Sequence, residues 1–180
     1  MAGITLERAR GCMVAAGMFF KKGAEDISQS IELGLQVDQE PEELYEKCME
    51  RESMDRSVLA ITSLIIFFMV RDGVNAKKAS LSAWNVADKF HDPIIKSVHD
   101  ALKLADKNAS RGKYLAKLMM STDMKDELTL AIFLNCLPME DSFYAHLQEI
   151  KKHQQINMQI MAAAFAGAKY GLKEVTAAQG

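Results

Sequence analysis

The stretch SVLAITSLIIFFMV, Ser57 to Val70, decides the fold, because it is the most apolar run in the chain and could form either a membrane span or the centre of a core. A spanning helix needs about 20 predominantly apolar residues, whereas runs of roughly 10 to 14 belong to buried helices. The flanks point the same way. Asp55 and Arg56 precede the run, and Arg71, Asp72 and Gly73 follow it, so an acid stands before the first turn, a cation in the last and a glycine at the stop. Apolar side chains fall on every face of the predicted helix, among them Leu59, Ile61, Leu64, Ile65, Phe68 and Val70. Its neighbours must therefore be other helices rather than water. The expectation is a central core helix and no membrane span.

Outward from this run, nearly every segment has helical periodicity, and the three prolines stand where helices begin or end. Upstream, a first helix is expected from Thr5 to Lys21, with Gly11, Ala15, Ala16 and Gly17 allowing close approach of a neighbour. A second runs from Asp26 to Leu33 and stops at Gly34. A third opens at Pro41 with Glu42 and Glu43 in its first turn, where proline and acids are both favoured. Downstream, Asn75 caps a helix through Phe90, and Asp92 with Pro93 opens another reaching Lys107. Further helices are expected over Arg111 to Met120, Lys125 to Cys136, Glu140 to Lys151 and Asn157 to Lys173, with a frayed tail at Thr176 to Gly180. No fixed repeat is present. The pattern predicts an all-α fold, a compact multi-helix domain over residues 1–175 with about nine or ten helices, too many for a four-helix bundle.

With 180 residues, 49% hydrophobic and 26% charged, the chain is long enough to bury one sizeable core. A net charge of −2 lacks the basic field that nucleic-acid binding leaves in a domain, so that partner class is disfavoured. Cys12, Cys48 and Cys136 form neither a disulfide framework nor a zinc signature, which suits a reducing, cytoplasmic setting. Arg8 and Arg10 lead into CMVAAGMFF as in a signal peptide, but Glu7 interrupts the basic region and Lys21 and Lys22 close the apolar run early.

The chemistry-bearing residues give no catalytic constellation. His91 and His99, and His146 and His153, each stand about two helical turns apart; no HExxH or Glu-x-x-His pair occurs, so surface or boundary histidines are expected. The cysteines lie in apolar or acidic helical runs, where inert buried thiols are expected. No nucleophile elbow or glycine-rich phosphate loop is present. In STDMKDE, Asp123, Asp126 and Glu127 could gather around a divalent cation, but they also occupy positions where helix capping places acids. The segment ADKNASRGKYLAK, with Tyr114 between Lys113 and Lys117, is the best positive patch, yet it lacks the aromatics that single-strand binding uses. Among the twelve methionines, Met119, Met120 and Met124 cluster, as do Met158 and Met161. Such side chains fill irregular cores or line adaptable protein-binding grooves, and core is the favoured expectation. The residues therefore assign no catalytic group, no metal ligand and no cofactor.

One family resemblance is carried by the C-terminal part. The run SFYAHLQEIKKHQQINMQIMAAAFAGAKYGL, Ser142 to Leu172, closes on Gly167, Ala168, Tyr170 and Gly171 after Ala162, Ala163, Ala164 and Ala166; upstream, SAWNVADKFHDPIIKSVHDAL has Phe90, His91 and Pro93 at a helix junction. Together, from Ala79 to Val175, these segments resemble ADP-ribosylglycohydrolases, in which an Ala-rich helix follows a metal-binding G-G-D-x-D-T loop. Members of that family bind magnesium through the aspartates of that loop and of a T-D-D-T motif. Here the corresponding loop positions fall on Gln154, Ile156 and Asn157, which supply too little negative charge for a hard cation, and no T-D-D-T occurs. The resemblance implies a metal-free relative that binds without hydrolysing, with Gln154 and Asn157 as ligand-binding residues. The expected function is a non-catalytic helical binding or interaction protein. The alternatives are a divergent magnesium-dependent ADP-ribosyl hydrolase using Asp123 or Asp126, and a structural homo-oligomer that packs Gly11, Ala15 and Gly17 against a second copy.

Overall fold

The helix that decided the fold is the axis around which the rest is built. The computed structural model describes residues 2–138 and 141–179, and ten helices form among them: α1 (Ala2–Gly17), α2 (Glu25–Gly34), α3 (Pro41–Met49), α4 (Arg56–Asp72), α5 (Ala76–Lys89), α6 (Ile95–Ala105), α7 (Gly112–Met120), α8 (Met124–Cys136), α9 (Phe143–Lys151) and α10 (Ile156–Gln179). Every residue of α4 from Val58 to Val70 is buried, and α1, α2, α3, α5, α8 and α10 all pack on it. Its buried hydroxyls are satisfied by nearby carbonyls: Thr62 donates to Val58 at 2.9 Å and Ser63 to Ser30 at 2.6 Å. Gly73, with φ at 67°, ends it, and its N–H donates to the Met69 carbonyl at 3.0 Å. Among the described residues no helix is long and apolar enough to cross a membrane.

The closest helix pair is α1 with α10, which cross at Gly11 and Gly167. A Cβ on Gly11 would lie 2.6 Å from the Gly171 carbonyl carbon, and one on Gly167 would lie 2.7 Å from Ala15 Cβ. Gly11 and Ala15, expected as part of a face for a second copy, are thus consumed inside the chain because only small residues let two backbones approach this far. The first helix also ends sooner than the expected Lys21. Met18 and Phe19 donate to the Ala15 and Ala16 carbonyls, three-residue bonds that tighten and stop it at Gly17. Within α10, Gly171 takes φ 83° and ψ 170°, a region essentially restricted to glycine. The Glu7 carboxylate of α1 then accepts the Lys173 N–H at 3.3 Å, and helix resumes through Gln179, past the expected end at Lys173 and over most of the segment expected to fray.

The α5–α6 corner has a stop signal that composition hides. His91, with φ at 54°, holds the left-handed position usually given to glycine, while Asp92 N–H donates to Ala87 and His91 N–H to Asp88, a Schellman closure. Asp92 is buried; its carboxylate accepts from Ile94 N–H at 3.0 Å and from the Tyr45 hydroxyl at 2.7 Å, and Tyr45 stacks on Phe90 with centroids 4.4 Å apart. This turn delays α6 to Ile95. Elsewhere the capping signals hold: Asn75 accepts from Lys78 N–H at 2.9 Å, and Pro41 is the first residue of α3. Ser142 caps α9 by accepting from Ala145 N–H at 3.1 Å, and the expected start at Glu140 lies outside the described residues.

Candidate functional site

The two residues singled out as ligand-binding lie together where the α9–α10 turn meets the α7–α8 turn. Gln155 joins the turns: its Nε2 donates to the Leu118 carbonyl at 2.8 Å and the Ser121 carbonyl at 2.6 Å, leaving its Oε1 buried without a partner. Glu127 joins the helices. From the first turn of α8 its buried carboxylate accepts the Met158 N–H at 3.1 Å and bonds to Asn157. An acid placed by sequence at the start of one helix therefore caps another. Burial raises its pKa above the usual carboxylate range, with the bonds to Met158 and Asn157 opposing that shift.

Between the two turns opens a cleft of about 500 Å³. Gln154 and Asn157 stand at its side, with Glu127, Gln155, Ser121 and Thr122 completing the polar wall. Met119, Met120 and Ile156 form an exposed apolar rim, Met119 at 48% and Met120 at 87% of full exposure. No lining residue is basic, and Glu127 supplies the one formal charge. Such a surface can pair amides with amides and cover them with adaptable thioethers. Met158 and Met161, by contrast, are fully buried, so one of the two sequence clusters of methionines fills the core while Met119 and Met120 of the other rim the cleft. Gln155, the Glu127 role and the exposure of Met119 and Met120 escape the sequence because each depends on two turns separated by more than thirty residues of chain.

The remaining candidates have structural partners. Asp123 accepts from Lys125 N–H at 3.0 Å, capping its own helix, and Asp126 accepts from the Ser121 hydroxyl at 2.6 Å. Among the described residues no group of three or more His, Cys, Asp or Glu stands together as a metal site. Burial pushes the Cys12 and Cys136 thiols up to about 12 and raises that of Cys48. In the basic segment, the Tyr114 hydroxyl donates to Asp100 at 3.3 Å, and Lys96 pairs with the same carboxylate at 2.8 Å. The aromatic ring is thus tied to an acid rather than free to stack on bases.

His91 and His99 are exposed and His153 is half-buried, but His146 is buried, against expectation. Its ring lies 5.4 Å from that of Tyr170, whose hydroxyl donates to Asp141 at 2.9 Å while Lys169 pairs with the same carboxylate at 3.0 Å. Burial, reinforced by Lys169 and opposed by Asp141, lowers the His146 pKa to about 4. Tyr170 of the Gly-Ala-x-Tyr-Gly ending thereby fastens α10 to the start of α9.

No family model matches the chain, and no match is found among curated proteins or solved structures. Fold and cleft define an all-α domain with a methionine-rimmed recess lined by amides and one carboxylate.

Proposed function

We propose that the chain is a non-catalytic binding protein that takes a segment of a partner protein in the cleft at the start of α10. The observation that carries this reading is the lining. Exposed Met119, Met120 and Ile156 surround the uncharged amides Gln154, Gln155 and Asn157, while the lone carboxylate already serves the amides of α10. Amide side chains match the donors and acceptors of an extended peptide backbone, and thioethers adjust to its side chains. A pyrophosphate, as in ADP-ribose, would meet no cation among the lining residues. This reading keeps the resemblance to ADP-ribosylglycohydrolases as that of a metal-free relative, with Gln154, Ile156 and Asn157 at the positions of that family's metal-binding loop, that binds a different ligand.

The test is selection of peptides from a displayed random library, followed by titration against the chain carrying Met120→Asp or Ile156→Asp. Both rim positions are exposed, so the fold should persist, and affinity should fall about tenfold or more, the loss of roughly one anchoring contact. Thermal scans with ADP-ribose, with and without magnesium, should show no shift. Peptides that bind the rim variants undiminished would remove the cleft from the reading, and a magnesium-dependent stabilisation by ADP-ribose would replace it with the hydrolase alternative.

A further inference from the structure

Helix α1 has two unlike faces. Its inner face, with Gly11, Cys12, Ala15 and Ala16 buried, packs on α10. Its outer face carries Gly3, Leu6, Arg10, Met13 and Gly17, and Phe20, beyond the helix end, lines the groove beside Met13 and Gly17; all six are exposed. A surface helix ordinarily turns charged and polar residues to solvent, yet here Leu6, Met13 and Phe20 are 49%, 54% and 46% exposed and Arg10 is the sole charge on the stripe. Steps of three and four residues are the spacing of a helix-pairing seam. At Gly3 and Gly17 nothing lies within 4 Å of where a Cβ would stand. Around Gly17, between Met13 and Phe20, a groove of about 120 Å³ is walled on its far side by Ile31 and Glu32 of α2.

We propose that this face is a self-association seam, in which two copies pack α1 antiparallel on α1 and each inserts Leu6 into the Gly17 groove of the other. The sequence order makes the fit self-complementary. Running the helices in opposite directions sets Leu6 against Gly17, Phe20 against Gly3 and Met13 against Arg10, so each outer large residue meets a glycine. A parallel pair would set Leu6 on Leu6 and glycine on glycine, with crowding and voids in alternation. The antiparallel register repeats under a two-fold axis, as an isologous dimer requires. Charge agrees as well: among the described residues neither Arg10 nor Glu32 has an ion-pair partner, and Glu32 borders the groove into which the second copy's Leu6, one turn from its Arg10, is carried. A seam of one 16-residue helix, about 24 Å long, covers less than the roughly 800 Å² per partner of a standard stable interface. Association is therefore weak and concentration-dependent.

Sedimentation equilibrium of the full chain from tens to hundreds of micromolar should show the mass rising from 20.0 kDa towards twice that value. Gly17→Leu fills the groove in open space and should hold the chain monomeric without altering its far-UV circular dichroism. Mixed Leu6→Cys and Gly17→Cys chains should cross-link to each other on mild oxidation, while Leu6→Cys alone should not exceed the unmodified chain. A monomer throughout that range, undiminished association of Gly17→Leu, or efficient Leu6→Cys self-linkage would each overturn the proposal.

Discussion

Replacing Gly167 with alanine tests the helix crossing on which α1 and α10 depend. The new Cβ would stand 2.7 Å from both Ala15 Cβ and the Gly11 carbonyl carbon, where ordinary contact begins at 3.4 Å. The obstacles are a helix backbone and a methyl fixed to one, so neither can rotate aside, and the helices must part by roughly 0.7 Å or more at the crossing. Overpacking of this kind costs about 1–3 kcal/mol, and the upper half of that range applies where backbone must move. Alanine recovers about 1 kcal/mol of helix propensity. The net expectation is a loss of about 1–2 kcal/mol, or a fall in Tm of roughly 2–8 °C for a chain of this size. Urea unfolding, followed by circular dichroism and by the fluorescence of Trp84, the single tryptophan, measures it. Gly17→Ala, where nothing lies within 4 Å, should be at least as stable as the parent at low concentration. A Gly167→Ala chain as stable as the parent would refute the close crossing.

Three further perturbations have defined signs. Tyr45→Phe keeps the stack on Phe90 but strands a buried oxygen of Asp92, and should cost about 1–3 kcal/mol in the same urea assay; a neutral result would mean that Asp92 finds water instead. His146 has a folded pKa lowered from 6.5 to about 4. The folded state therefore binds fewer protons, and its contribution of roughly 3 kcal/mol is complete above about pH 6.5 and is lost as pH falls towards 4. His146→Phe should flatten that part of the stability profile relative to the parent, and identical profiles would contradict the burial. Glu127 has the opposite sign: its raised pKa makes the folded state hold the proton more tightly, so stability declines as pH rises through the folded value. Glu127→Gln, which can still accept from Met158, should remove this decline and be at least as stable as the parent at neutral pH; marked destabilisation there would show that α10 needs the charge.

The legible part of this protein is its local grammar. Asn75, Pro41, Asp123 and Gly73 each act within a few residues of themselves, and each sits at the helix boundary its chemistry predicts. Errors arise where a long-range contact overrides that grammar. His91 takes a left-handed conformation in the turn that buries Asp92 beneath Tyr45, and Glu127 begins α8 yet caps α10. A motif position singles out Gln154 and Asn157 as candidates, whereas Gln155 between them binds the two turns through contacts no local pattern encodes.

By itself, then, the sequence determined an all-helical chain wound around Ser57 to Val70, because hydrophobic periodicity and end-capping are properties of neighbours along the backbone. Only the tertiary structure decided which small residues of α1 meet α10 and which face outward, and which methionines fill the core and which rim a cleft. Burial is set by the arrangement of helices against one another, and side chains as alike as Met120 and Met161 come to opposite ends of it.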